Sequence, residues 1–364
     1  MGCTLARSSR IAAAAVVIAL AAAPAAAQST TSAKRWHVEG VGGLSLFDLP
    51  TDGTATLPPA GAPITTTGPA NPSRKVSTWF LGDGALLLNN VNAEFAIPGR
   101  ISALDTALGT LSLSGTNAAA FGLRVRRIVS DRLTLEFSAD MMPGSRELSP
   151  ELVGAVEAAR ASFVTAFSGL LTTGPFTNVN VSAITSMSTP SSRDLTTTVA
   201  AQWMLKAGSV EPYVALGGGL VHSVGDLPSV TLTGMYRFLI QGSVPIDETD
   251  VLRLHYSQGT ALVGLAGAGV RRALNDRFGL SIDARVLFGQ QTLAVELDAT
   301  PTRVSGTPQG FIESFTTPAI QFSNSPNTGR ESSLSGESLF NFKAFTTDGL
   351  QTRFIISAGV FMRF

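Results

Sequence analysis

The chain has 364 residues, with 26 basic and 26 acidic side chains and one cysteine. Balanced charge argues against nucleic-acid binding, and there is no acidic tract to form a disordered tail. Because Cys3 lies ahead of the first apolar run, the remaining chain has no disulfide framework and no thiolate nucleophile or metal site.

Arg7 and Arg10 precede an apolar run from Ile11 to Ala23, followed by Pro24 and Ala25-Ala26-Ala27. This order predicts a secretory signal peptide over 1–27, cleaved after Ala27. The run is roughly 13 residues, short of the ~20 a membrane helix needs. Cys3 precedes it and is therefore not a lipidation site. Cleavage removes two arginines, leaving 24 basic against 26 acidic side chains. No later stretch is long enough for a membrane helix, so any bilayer contact falls to strands, which span only as a closed barrel.

Alternation with a period of two predicts eight strands. The first (35–47) sets Trp36, Val38, Leu44 and Leu46 against His37, Glu39 and Ser45. The second (117–128) points Phe121, Leu123 and Val125 outward and Gly122, Arg124 and Arg126 inward. In the third (132–142), Leu133, Leu135, Phe137, Ala139 and Met141 oppose Thr134, Glu136, Ser138 and Asp140. The fourth (194–206) opposes Val199, Ala201 and Trp203 to Thr196, Thr198 and Gln202. The fifth (211–223) alternates Val214, Leu216 and Leu220 with Tyr213, Gly217 and Gly219. The sixth is placed at 251–272. The seventh (277–288) turns Phe278, Leu280, Ile282 and Ala284 away from Gly279, Ser281, Asp283 and Arg285. The last runs to the end: Phe354, Ile356, Ala358, Val360, Met362 and Phe364 share one face, with Arg353, Ser357 and Arg363 on the other.

Short turns join strands two and three (Val129-Ser130-Asp131), four and five (Ala207 to Val210), and six and seven (Leu274-Asn275-Asp276). Connections of roughly 25 to 70 residues follow strands one, three, five and seven. Outer-membrane barrels sort their loops this way, with short periplasmic turns and long extracellular loops. Residues 230–241 and 250–258 also alternate. They are expected to form a hairpin above the membrane, with an extra barrel pair, ten strands in all, as the alternative.

Within the loops, Ser149-Pro150-Glu151 caps a predicted helix carrying Leu152, Val156, Ala159, Phe163, Phe167 and Leu170 at helical spacing up to Leu171. A second helix is predicted over Asp83–Phe95. The stretch from Thr300 to Asn341, rich in Ser, Thr, Pro and Gly, is expected to be mobile.

The motifs Pro212-Tyr213-Val214-Ala215-Leu216-Gly217-Gly218-Gly219, Gly267-Ala268-Gly269-Val270 and Asp276-Arg277-Phe278-Gly279-Leu280, with a terminal Phe364, resemble the small OmpA/OmpX-type outer-membrane β-barrel family. The likeness covers the strands, not the longer loops. It implies an all-β, antiparallel, up-and-down transmembrane barrel in the outer membrane of a Gram-negative-type bacterium. It also implies contact with outer-membrane lipid and lipopolysaccharide, and recognition of Phe364 by the barrel-assembly machinery. The chain is expected to be a monomer.

An eight-stranded barrel is just wide enough for side chains to fill it. The inward polar set is Arg124, Arg126, Glu136, Asp140, Asp283, Arg285, Arg353 and Arg363, with Arg124 expected opposite Glu136. A salt-bridged plug is expected; a selectivity lining or proton path is the alternative. Glycines on the inner face of strands two, five and six are expected to leave room for these arginines. The one constellation with catalytic residue types is His222, His255, Asp226 and Ser257 near the outer ends of strands five and six. It lacks a motif, and His222 falls on the outward parity. His37 lies at the periplasmic end, away from such a site. Neither a metal-ligand spacing nor a phosphate loop occurs, and no cofactor is expected.

The expected function is structural or surface-interacting, without catalysis, through loops that could hold an extracellular ligand. A narrow or gated pore for small solutes is the alternative, and an envelope-lipid-modifying enzyme is third.

Overall fold

The computed structural model describes residues 36–364 apart from 49–52, 65–73, 111–112, 116, 144–145, 207–208, 241–243, 304–310, 313–319 and 324–331. The expected signal peptide lies outside the described residues.

Eight strands close a barrel: β1 (Trp36–Asp48), β4 (Ala118–Ile128), β5 (Leu133–Pro143), β8 (Arg193–Met204), β9 (Val210–Val224), β12 (Ala261–Ala273), β13 (Phe278–Arg303) and β16 (Leu339–Arg363). Each pairs antiparallel with the next, and β16 returns to β1 from His37↔Arg363 to Asp48↔Thr352, so the ring has no free edge. The terminal residues complete the seam: the Phe364 N–H donates to the Trp36 carbonyl at 2.8 Å.

Alternation decides which face is polar. Outward side chains are large and apolar, with Leu216, Ile282 and Leu44 more than 60% exposed. Such a continuous apolar exterior is a liability in water and is what lipid solvates. Trp36, Trp203, Phe278 and Phe364 lie exposed toward the end where the short turns are, as an aromatic girdle would.

The expected sixth strand is two. β11 (Val244–Gln258) ends before Gly259-Thr260, and β12 begins at Ala261. β12 pairs with the first half of β13, β11 with its second half. β11 pairs in turn with β10 (Val230–Ile240), and β10 with β7 (Phe176–Met187). The β10–β11 hairpin therefore stands outside the ring, and the barrel has eight strands. Four short strands, β3 (Leu113–Gly115) with β6 (Arg146–Leu148) and β14 (Phe311–Ile312) with β15 (Phe322–Ser323), form two small ladders, while β2 (Thr54–Ala55) pairs with β16.

The loops build a cap with its own core. Three helices, α1 (Gly82–Glu94), α2 (Asp105–Leu108) and α3 (Pro150–Thr173), come from the first two long connections. Alongside them lies the sheet β7-β10-β11 extended by the far halves of β13 and β16. Leu152, Val156, Ala159, Phe163, Phe167 and Leu170 of α3 are buried, as their spacing predicts, against Leu232, Tyr236 and Phe238 of the sheet. At the start of α3, the Ser149 hydroxyl accepts from the Leu152 N–H at 3.2 Å. Ser149→Ala should cost the cap about 1 kcal/mol, read as a lower midpoint for cap unfolding by urea.

The expected mobility of Thr300 to Asn341 is corrected in its described parts. Residues 300–303 and 339–341 continue β13 and β16, and Ile320, Phe322 and Leu334 are buried in the cap core. The rest of that stretch lies outside the described residues.

Candidate functional site: a charged plug beneath the cap

Inward parity brings most of the expected polar residues into one space. Arg124, Arg126, Glu136, Asp140, Asp283, Arg285 and Arg353 are all buried. At the centre, Glu136 accepts two bonds from Arg285, at 2.6 and 3.2 Å, one from Arg126 Nε at 2.7 Å and one from Gln202 at 2.7 Å. Arg126 also pairs with Glu39, and Arg124 with Asp283. Arg285 Nε reaches Asp283 at 3.0 Å, while Ser357 accepts from Arg124 at 2.9 Å and donates to Asp283 at 3.1 Å. Three carboxylates, Glu39, Glu136 and Asp283, thus face three guanidinium groups, Arg124, Arg126 and Arg285. A buried charge left alone costs several kcal/mol, so this one-to-one balance is what allows the cluster to exist in a narrow interior.

The pairing differs from the expected one by two residues. Arg126, not Arg124, lies opposite Glu136, because the Val129 N–H donates to the Leu133 carbonyl at 2.9 Å. The turn is thus Ser130-Asp131-Arg132. Moving a turn by one residue shifts the register by two and keeps every side chain on its face.

Asp140 accepts from Ser138 at 3.3 Å and makes no ion pair among the described residues. Gly122 lies beside it, where a Cβ would displace the Asp140 carboxylate. Gly269 serves in the same way: its Cβ would come within 2.6 Å of the Tyr213 ring, whose hydroxyl donates to Asp283 at 3.3 Å. Arg363 is not part of the cluster. It lies at the barrel end by the short turns, 3.9 Å from Glu211 and over the Phe361 ring.

A second tier closes the opposite end. Asp194 accepts from Arg353 at 2.5 Å and from Arg146 at 2.8 Å, and the Phe47 ring lies near both guanidinium groups, at 4.5 and 5.2 Å. Arg146 belongs to β6, outside the wall, so the cap itself supplies this stopper.

Four members lie outside the expected inward polar set: Glu39, Asp194, Arg271 and Arg146. Glu39 and Asp194 were within reach of the parity rule applied strand by strand. Arg271 stands over the Tyr213 ring at 4.8 Å and donates to Gln202 at 2.8 Å. Arg146 had no signal, being a loop residue.

The histidine constellation is not assembled as a nucleophile and base. His222 is exposed on the outward face with its Nδ1 2.9 Å from the Thr260 hydroxyl. His255 lies between Glu296, at 3.3 Å, and Asp298, at 3.6 Å. The Ser257 hydroxyl donates to Glu296 at 2.6 Å rather than to a histidine, and the Asp226 N–H donates to Ser191. His37 is buried and stacks on Phe361 with centroids 5.3 Å apart.

Among known proteins, no family model and no curated relative matches this chain. The solved structure of the outer membrane protein OprG from Pseudomonas aeruginosa is similar over 91% of this chain and 97% of its own, at 9% identity and a TM-score of 0.37. The P. putida toluene transporter TodX is similar over 92% of this chain and 91% of its own, at 8% identity and a TM-score of 0.17. Likeness this distant carries no argument, and the fold rests on the strand pairing described above.

Proposed function

We propose that this chain is an outer-membrane β-barrel, exported by the signal peptide 1–27, whose role is surface display and interaction without catalysis. The carrying observation is the contrast between its two halves. The barrel interior is filled by a charge-balanced plug, while the loops are folded into a cap with a core of their own. A barrel that only anchors needs a stable wall and filling, and a surface that contacts ligands or cells needs ordered loops. The apolar exterior supports a bilayer location, and its partners there are outer-membrane lipid and lipopolysaccharide, with the assembly machinery reading Phe364 during insertion.

The second reading is a gated pore, favoured by one observation. Arg146 enters from the cap, so displacement of the cap would withdraw one of the two cations on Asp194. Planar-bilayer recordings of the refolded full-length protein separate the two readings. The expected result is no steady unitary conductance; reproducible channels of uniform size would establish the pore instead.

A further inference from the structure

We propose that Asp250 is a proton-operated latch that holds the first long loop, with helix α1, onto the cap sheet, closed when protonated and loosened as the carboxyl ionises. The device is distinct from the lumen plug and holds whether the protein is an anchor or a pore.

Asp250 lies mid-strand in β11 and is completely buried. One carboxyl oxygen, Oδ2, accepts from the Trp79 backbone N–H at 2.6 Å and from the Thr78 hydroxyl at 3.0 Å. Those two residues lead directly into α1, and the Thr78 hydroxyl also accepts from the Phe80 N–H at 3.2 Å. The carboxyl is therefore the polar clasp between the loop and the sheet. Its other oxygen, Oδ1, has no hydrogen-bond partner.

Among the described residues no cation pairs with the carboxyl. On β10 the residue opposite is Gly234, where a Cβ would meet the Phe163 and Phe80 rings within 2.9 Å, so aromatic edges fill that side. On β13 the residue opposite is Pro301. Phe163 and Phe167 of α3 bring only rings. The ionisable groups facing Asp250 are Glu248, two residues along β11, and Tyr236, whose hydroxyl donates to Glu248. Neither brings a positive charge to Asp250, since Tyr236 is a neutral phenol bonded to Glu248. Among the described residues Asp250 forms no ion pair.

Two hydrogen bonds do not replace the hydration an isolated carboxylate loses on burial. Burial pushes the Asp250 carboxyl up to about 7, with the Trp79 and Thr78 bonds opposing it. The sign follows. The packed form binds the proton more tightly than the open form, in which the carboxyl regains its ordinary value. Closure is therefore strongest in acid, weakens as pH rises through neutrality, and is insensitive above about pH 8. For one group, the open fraction should rise about tenfold between pH 6 and pH 8.

Hydrogen–deuterium exchange on the refolded full-length protein in detergent tests this, with rates corrected for the intrinsic effect of pH. Protection of the backbone N–H groups between Trp79 and Leu88 should fall about tenfold from pH 6 to pH 8, while the barrel strands stay unchanged. Asp250→Asn keeps an acceptor for both donors and should flatten the profile to less than about twofold. Thr78→Val removes one donor to the carboxylate and should move the transition to higher pH. It provides an independent reading if Asp250→Asn fails to fold. A flat wild-type profile would overturn the proposal, as would a transition that persists in Asp250→Asn or fails to move in Thr78→Val.

Discussion

Glu136→Ala should lower the stability of the folded barrel by about 3–5 kcal/mol, the largest loss expected from one lumen substitution. The side chain accepts from Arg126, Arg285 and Gln202 at once. Its removal leaves Arg285 with Asp283 and Arg126 with Glu39, so Arg124, Arg126 and Arg285, all buried, share two carboxylates. Glu136→Gln should cost less, since an amide oxygen still accepts. Replacing Glu136 with Leu and Arg285 with Met together should recover much of the loss, because the pair disappears as a unit. The measurement is the temperature at which the compact, heat-modifiable gel band converts to the unfolded one. Equal midpoints for wild type and Glu136→Ala would mean that the plug contributes nothing to holding the wall.

Phe167→Ala should destabilise the cap by about 3–5 kcal/mol and leave the barrel intact. Phe167 is fully buried and stacks on Tyr236 at 4.6 Å, with Phe163 at 4.7 Å and the Trp79 edge at 5.4 Å. Truncation opens a cavity at the point where α3, β10 and the first loop meet. Limited proteolysis should cut the loops of the variant at urea concentrations the wild type resists, while the gel band of the barrel remains compact. Simultaneous loss of both would show that cap and barrel unfold as one unit.

The barrel was legible because its strands have one polar face and one apolar face. Leu123 beside Arg124 and Ile282 beside Asp283 declare their faces by chemistry alone. The cap half of β13 does not. Leu293, Ala294, Val295, Glu296 and Leu297 are all buried, and a strand covered on both sides loses its period of two. β7 was missed for a different reason. It does alternate, Val179, Val181 and Ala183 against Asn178, Asn180 and Ser182, but only over a short run inside a long connection, and Thr185, bonded to Glu157 of α3, breaks the apolar face. Helix α3 was readable from spacing and its cap because one face is apolar and the other is not. The lumen roster was readable as a set of faces but not as pairs. Partner choice depends on turn register, and one residue in the turn at Ser130 decides whether Arg124 or Arg126 meets Glu136.

The far halves of β13 and β16 bear on how the cap would carry load. The two strands run for 26 and 25 residues, about 85 Å of chain each, well over twice the ~9–11 residues a spanning strand uses, and their pairing shifts register only at Val295/Glu296 and Leu297/Ala299. Cap and wall are thus joined by a two-stranded beam, bulged in its cap half, rather than by a loop. Beside it, β11 is bonded to β13 from Glu248↔Arg303 to Gln258↔Leu293. A pull on the cap away from the cell runs along these strands, so the rungs of the ladder are sheared together instead of peeled one after another. An adhesive surface attached in this way would resist tension with the whole ladder at once, and the force would pass directly into the barrel wall.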